Sequence, residues 1–224
     1  MGEKTRLSFQ GGCKVITISS LMESVGGLSA PSKMPCFGYS IPASRCKVGK
    51  KMRKIKGSIC SICYALKGRY AFPNVSNALE RRFEKISKKS WVRDMITCIS
   101  RVETSGFFRW HDAGDLQSVA HLRRIVKICQ GTPQIRHWLP TREYAVVRKF
   151  LEQGGTIPTN LTIRFSALMI DGKAPEGLAR RLGVQVSGAS ASAFTCPAPK
   201  QGNICASCRK CWDREVFNVS YKVH

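Results

Sequence analysis

Between residues 107 and 190 the apolar positions fall into short runs separated by longer, helically spaced ones. FFRWHD (107–112), IRHWL (135–139), LTIRFSA (161–167) and VQVSG (184–188) are brief and rich in aromatic or β-branched residues. Each predicts a strand. SVAHLRRIVKIC, EYAVVRKFLEQGG and PEGLARRLG lie between them with apolar residues at helical intervals. The three aligned arginines Arg109, Arg136 and Arg164 stand 27 and 28 residues apart, the length of a strand plus a crossover helix. The repeat predicts parallel strands with helical connections.

Upstream, Leu79, Phe83 and Ile86, then Trp91, Met95 and Ile96, predict helix between Pro73 and Cys98, with Ser90 as an N-cap. CKVITISS (13–20) reads as an early strand. Residues 23–63 carry Pro31, Pro35 and Pro42 and read as irregular. Five or six strands are too few for a closed eight-stranded barrel. The expected fold is therefore α/β, a small or distorted TIM-barrel-like parallel sheet with a Cys-rich metal-binding periphery. An open doubly wound sheet is the other arrangement. The chain reads as a single α/β domain over 1–224, with a basic, Cys-rich segment at 31–70 and a Cys-rich metal-binding segment at 196–224.

Composition changes the picture through charge. The 224 residues include 37 Lys or Arg against 14 Asp or Glu, a net charge of +23. Solubility needs only roughly 2 to 8, so a polyanion partner, nucleic acid and DNA in the first place, is expected. Arg45, Lys47, Lys50, Lys51, Arg53, Lys54 and Lys56 form an acid-free strip suited to a phosphate backbone. A hydrophobic share of 43% excludes wholesale disorder. No apolar stretch has membrane-spanning length and the amino terminus lacks a secretory pattern, so the expected location is cytoplasmic, without a membrane partner.

Eleven cysteines in such a chain point to metal rather than disulfides. Cys36, Cys46, Cys60 and Cys63 form one group along the sequence, and Cys196, Cys205, Cys208 and Cys211 another. Cys-x-x-Cys pairs suit tetrahedral zinc, and Cys-x-x-Cys-x-x-Cys also suits a [4Fe-4S] cluster. The two groups can also share one site, with His224 as a further ligand. The radical S-adenosylmethionine spacing, Cys-x-x-x-Cys-x-x-Cys, is missing because Lys56 occupies its first place. Cys46 can supply that ligand if the chain folds back. Cys13, Cys98 and Cys129 read as buried, inert thiols.

In parallel α/β folds, functional groups gather beyond the carboxyl ends of the strands. There the sequence places His111, Asp112 and Asp115, then Pro140, Thr141 and Arg142, then Ser166 and Asp171, and finally residues 187–192. Asp112, Asp115 and Asp171 are candidates for acid/base or nucleophilic chemistry. Their structural alternatives are a helix cap for Asp115, an arginine pair for Asp112 and a plain turn for Asp171. Trp110 and Trp138 can stack a base or fill the core.

SKMPCFGYSIPA, GSICSICYALKGRY, RWHDAGD, LPTR, IRFSA and CASCRKCWD together resemble the phage family called gene product 88, from about residue 31 to the end. A second resemblance bears on mechanism. DAGDLQ (112–117) looks like the DSGGFQ motif of tRNA-guanine transglycosylases, LPTR (139–142) like their PTR motif, and Cys205, Cys208, Cys211 and His224 like their zinc site. That resemblance implies Asp112 as the acid/base group, Gly114 and Gln117 beside the base, and guanine exchange for a 7-deazaguanine, as in the DNA-directed phage relatives. The family's nucleophile position holds Arg136, and the two motifs are only about 25 residues apart. Asp115 or Asp171 would have to attack the sugar. The expectation is a phage base-modifying enzyme in the infected cell, with Trp110, His111, Gly114, Gln117, Trp138, Thr141, Arg142, Arg164 and Ser166 around the substrate. The alternatives are a non-catalytic, metal-supported DNA or RNA binder and an iron-sulfur, radical-type enzyme acting on a nucleotide.

Overall fold

The computed structural model describes residues 17–223. Six strands form one all-parallel sheet: β1 (Gly38–Tyr39), β2 (Phe107–Trp110), β3 (Arg136–Thr141), β4 (Leu161–Ser166), β5 (Gln185–Ser190) and β6 (Asn218–Lys222). Their order in the sheet is their order in the chain. A doubly wound sheet reverses its order at a switch point; this one does not. Nor is it a closed barrel, because β1 and β6 do not pair and the sheet stays open. The fold is α/β at the level expected, without barrel closure.

The helices are α1 (Ile18–Val25), α2 (Lys47–Met52), α3 (Pro73–Lys85), α4 (Trp91–Val102), α5 (Val119–Gly131), α6 (Tyr144–Glu152) and α7 (Glu176–Arg181). Crossovers of one hand between strands laid down in sequence put their helices on one face. Phe108, Trp110, Leu139, Ile163, Phe165 and Val186 accordingly share a core with Trp91, Met95 and Ile99 of α4, Leu122 and Ile125 of α5, Phe150 of α6 and Ala179 of α7. Cys98 and Cys129 are buried in this core, as inert thiols should be, whereas Cys13 lies outside the described residues.

Three expectations need correction. Residues 18–20 belong to helix α1, and 13–16 lie outside the described residues. Thr17 caps α1 by accepting a hydrogen bond from Ser20 N, and Gly26 ends it in the left-handed conformation at φ 80°. Ser90 precedes α4 without a side-chain cap, because its backbone is already helical. The three arginines mark the βα repeat but are not aligned in register. Arg109 lies opposite Trp138, Arg136 opposite Phe107 and Arg164 opposite Pro140. The strands are staggered, and even-numbered slips preserve the face while moving a side chain along it.

The second face of the sheet is covered by irregular chain. Trp138 and Trp212 pack there with Cys36, Met34, Phe107, Cys211 and Tyr221. Arg164, fully buried, holds this layer by donating to the carbonyl oxygens of Lys210, Cys211, Asp213, Val186 and Phe217. Loops also block both sheet edges. Ser29 bridges Gly38 on one side, and Thr195 N and Cys196 N donate to Ser220 O on the other. No helix among the described residues is long and apolar enough to cross a membrane.

Candidate active site

Residues of the strands near their carboxyl ends, with the chain beyond β1 to β4, line one cavity of about 1310 Å³. Its walls include Cys46, Cys60 and Cys63 after β1, His111, Asp112, Gly114 and Asp115 after β2, and Thr141 and Arg142 at the end of β3. Ser166 of β4, Ser187 of β5 and Tyr221 of β6 complete it. Gly114 allows the β2 turn to sit against β1. A Cβ there would come within 2.5 Å of Ile41 O, at a φ of 82° that side chains rarely adopt.

The three candidate carboxylates have different fates. Asp115 is buried and accepts hydrogen bonds from Leu116 N (2.7 Å), Thr141 Oγ1 (2.6 Å) and Arg142 N (2.9 Å). Burial nevertheless pushes it up to about 6, with those donors pulling the other way. It straps the β2 turn to the end of β3. Asp112 accepts from Tyr70 Oη at 2.7 Å, and its other oxygen, Oδ1, is buried without a partner. Asp171 does not line the cavity, and its carboxylate accepts from Ser190 Oγ and Ala191 N. Only Asp112 presents an uncommitted buried oxygen.

His111 stands beside it at φ 53°, with both ring nitrogens buried and unpartnered. Burial holds it well below the usual histidine range, and its neighbour His121, 5.4 Å away between ring centres, is held at about 3. A strained backbone and orphaned polar atoms in a cavity wall are a functional signature.

Of the other predicted site residues, Trp138, Thr141, Arg142, Gly114 and Ser166 reach the cavity. Trp110 is core, edge-on to Trp91 and stacked on His137. Gln117 turns its amide to Asp115 O, and Arg164 is the carbonyl clamp already described. Of the basic strip, Arg53 lines the cavity, Lys47 donates to Gln117 O and Arg45 pairs with Glu80 at 3.2 Å. Lys50, Lys51, Lys54 and Lys56 remain exposed along and just after α2.

The described cysteines are all free thiols, and the structure regroups them. Cys46, Cys60 and Cys63 face one another electrostatically in the cavity wall. Burial pushes Cys46 up to about 12 and raises Cys60. Gly49 makes room for them: a Cβ there would lie 3.7 Å from both the Cys46 and Cys60 sulfurs. Cys36 departs from this set. It lies within electrostatic reach of Cys205, Cys205 of Cys196 and Cys208, and Cys196 of Cys211. Among the described residues no three His, Cys, Asp or Glu side chains are placed to hold a metal ion, so the metal-binding periphery is not confirmed. His224 lies outside the described residues.

Several residues escaped the sequence reading. Tyr64 and Tyr70 approach Asp112, and Tyr64 donates to its backbone carbonyl. Glu143 accepts from Val48 N at 2.8 Å and so fixes α2. Arg109 was visible as part of a repeat and as a planar neighbour of Trp110, yet it lies over Trp138 in the cavity wall. The tyrosines follow Cys63 closely in sequence, which is the only local signal that marked them.

Fold and site together define an all-parallel α/β protein with a thiol-lined, arginine-bearing cavity at the carboxyl rim of its sheet. The family model of Gene product 88 matches residues 14–214, and the chain belongs to that family. No curated protein and no solved structure matches the chain. The likeness to transglycosylases thus finds no support beyond its short motifs.

Proposed function

We propose that the protein is an iron-sulfur, radical-type enzyme that modifies a nucleotide or nucleic acid. One observation carries this reading: the three thiols of Cys46, Cys60 and Cys63, all from the chain that follows β1, open into the same cavity as His111 and Asp112. A structural metal site is closed by four protein ligands, whereas a catalytic one keeps a position open. Three thiols at a substrate-sized cavity suit the second case. The displaced ligand spacing is met by Cys46, which is within electrostatic reach of both partners despite its distance in sequence.

Thiolates are the ligands that hold iron-sulfur clusters, and three of them with no fourth beside them among the described residues would leave one iron open to substrate. Cys46, Cys60 and Cys63 would hold such a cluster, and it would supply one-electron chemistry at the position left open. The chain's own residues would do the rest. Asp112, oriented by Tyr70, would exchange a proton through Oδ1. Asp115 would hold the β2 turn and Arg142 in place, and the exposed lysines around α2 would retain a polyanion.

Base exchange keeps Asp112 as its proton carrier but has less support. Asp115 is fully engaged and Asp171 is outside the cavity, so neither is free to attack a sugar. The test is anaerobic reconstitution with iron and sulfide. The full chain should turn brown, bleach on reduction, and lose one cluster per chain when Cys46, Cys60 and Cys63 are changed together to Ala. A colourless protein with stoichiometric zinc, or unchanged iron content in the triple variant, would reject the reading.

A further inference from the structure

The cavity contains a cation that forms no ion pair among the described residues. Arg109 projects from β2 on the face opposite the helical core, with its guanidinium 4.5 Å from the centre of the Trp138 ring. The residue keeps some surface toward the cavity, but its Nε is shut off from solvent and has no hydrogen-bond acceptor. Its Nη1 donates to Met34 Sδ at 3.0 Å, a thioether and so a weak acceptor. None of the ion pairs among the described residues involves Arg109.

Within the chain the Tyr64 side chain hydrogen-bonds Arg109 but is a neutral partner, and Asp112 lies within electrostatic reach. Asp112 receives Tyr70 on Oδ2, and no ion pair joins its carboxylate to Arg109. Contrast Arg164 on the same face: it is fully buried, and five carbonyl oxygens satisfy it. A buried guanidinium without an anion or a set of carbonyls is costly. Planar forks of this kind are suited to two-point recognition of an oxyanion, and stacking on Trp138 fixes the plane of the fork.

We infer that Arg109 is the anchor for an oxyanion of the bound ligand, a phosphate or a carboxylate, seated in the cavity against Trp138. The inference uses the cavity of the reading above but not its cluster, so ligand affinity and iron content report on the two separately. The two sources of the oxyanion differ in the rest of the ligand. A nucleotide brings a phosphate, and a sulfonium-type nucleoside cosubstrate brings an aminocarboxylate.

Calorimetric titration of the full chain decides it, before and after anaerobic reconstitution. One arm compares guanosine 5′-monophosphate with guanosine; the other compares S-adenosylhomocysteine with 5′-methylthioadenosine, which lacks the carboxylate. In at least one arm the oxyanion should tighten binding about tenfold or more, as charged hydrogen bonds do. Arg109→Gln should erase that advantage, and Arg109→Lys, which keeps the charge but not the fork, should reduce it. If Arg109→Gln does not fold, the wild-type comparison and Arg109→Lys still decide. No advantage in either arm overturns the inference and leaves Asp112, within electrostatic reach, as the countercharge. An undiminished advantage in the variants places the oxyanion elsewhere and overturns it equally.

Discussion

Two arginines on one face of the sheet show how little a residue's type says about its task. Arg164 and Arg109 both stand in strands on the side of Trp138 and Trp212, one fully and one partly buried, but one serves five backbone carbonyls and the other has a buried donor to spare. Replacing Arg164 by Met should leave several buried carbonyls without donors and cost about 3–5 kcal/mol, as breaking a buried charged network does. Urea unfolding would measure it, and a loss below about 1 kcal/mol would show that the clamp is not what holds residues 210–217 down. The carboxylates divide in the same way. Asp115 looked like a reacting group because it follows a strand and a glycine, but Thr141 and Arg142 take its oxygens, and both belong to the next strand's end. That bond spans 26 residues and depends on the β2–β3 register, so a local reading could offer only cap or catalyst.

At the scale of elements, periodicity carried the βα repeat. β2 to β5 and α5 to α7 fall where the spacing placed them, because each buries one face and its sequence must alternate accordingly. β6 also has the period of two in Val219 and Tyr221, yet it reads as part of a cysteine segment until β5 is seen to pair with it. Helix α2 illustrates what spacing cannot reach. It has six residues, a glycine and three lysines, a poor helix by itself. Glu143, 95 residues away, accepts from its first-turn Val48 N and fastens it at the cavity. Glu143→Ala should therefore speed amide exchange across residues 46–63 while leaving the β4 core unchanged, as read by hydrogen-exchange mass spectrometry. Equal protection in that loop would mean that α2 is held by its packing instead.

The whole molecule has an acid limit written into its core. His121 and His137 are held at about 3 and His111 well below the ordinary 6.5, all by burial. Depressed histidines favour folding fully above their unfolded value and lose that contribution as pH falls toward the folded one. Asp115 acts in the opposite sense, since its value is raised from 3.8 to about 6 and its charging weakens the fold as pH rises through that window. Three groups against one decide the sign. Resistance to urea should fall as pH is lowered from 7 to 5, and a midpoint that is level or higher at pH 5 would contradict it.

The sequence by itself determined the direction of the sheet, the helices that cover it, the rim at which the cavity opens, the family and the excess positive charge. These follow from periodicity, composition and contiguous motifs, all of which act within a few residues of one another. Only the tertiary structure decided that the sheet stays open, that Cys36 leaves Cys46, Cys60 and Cys63 for Cys205, and that Asp112 rather than Asp115 keeps a free oxygen. It alone separated Arg109 from Arg164. Those outcomes rest on strand register and on loops meeting across the sheet, where partners are chosen by distance in space and every buried donor must find an acceptor.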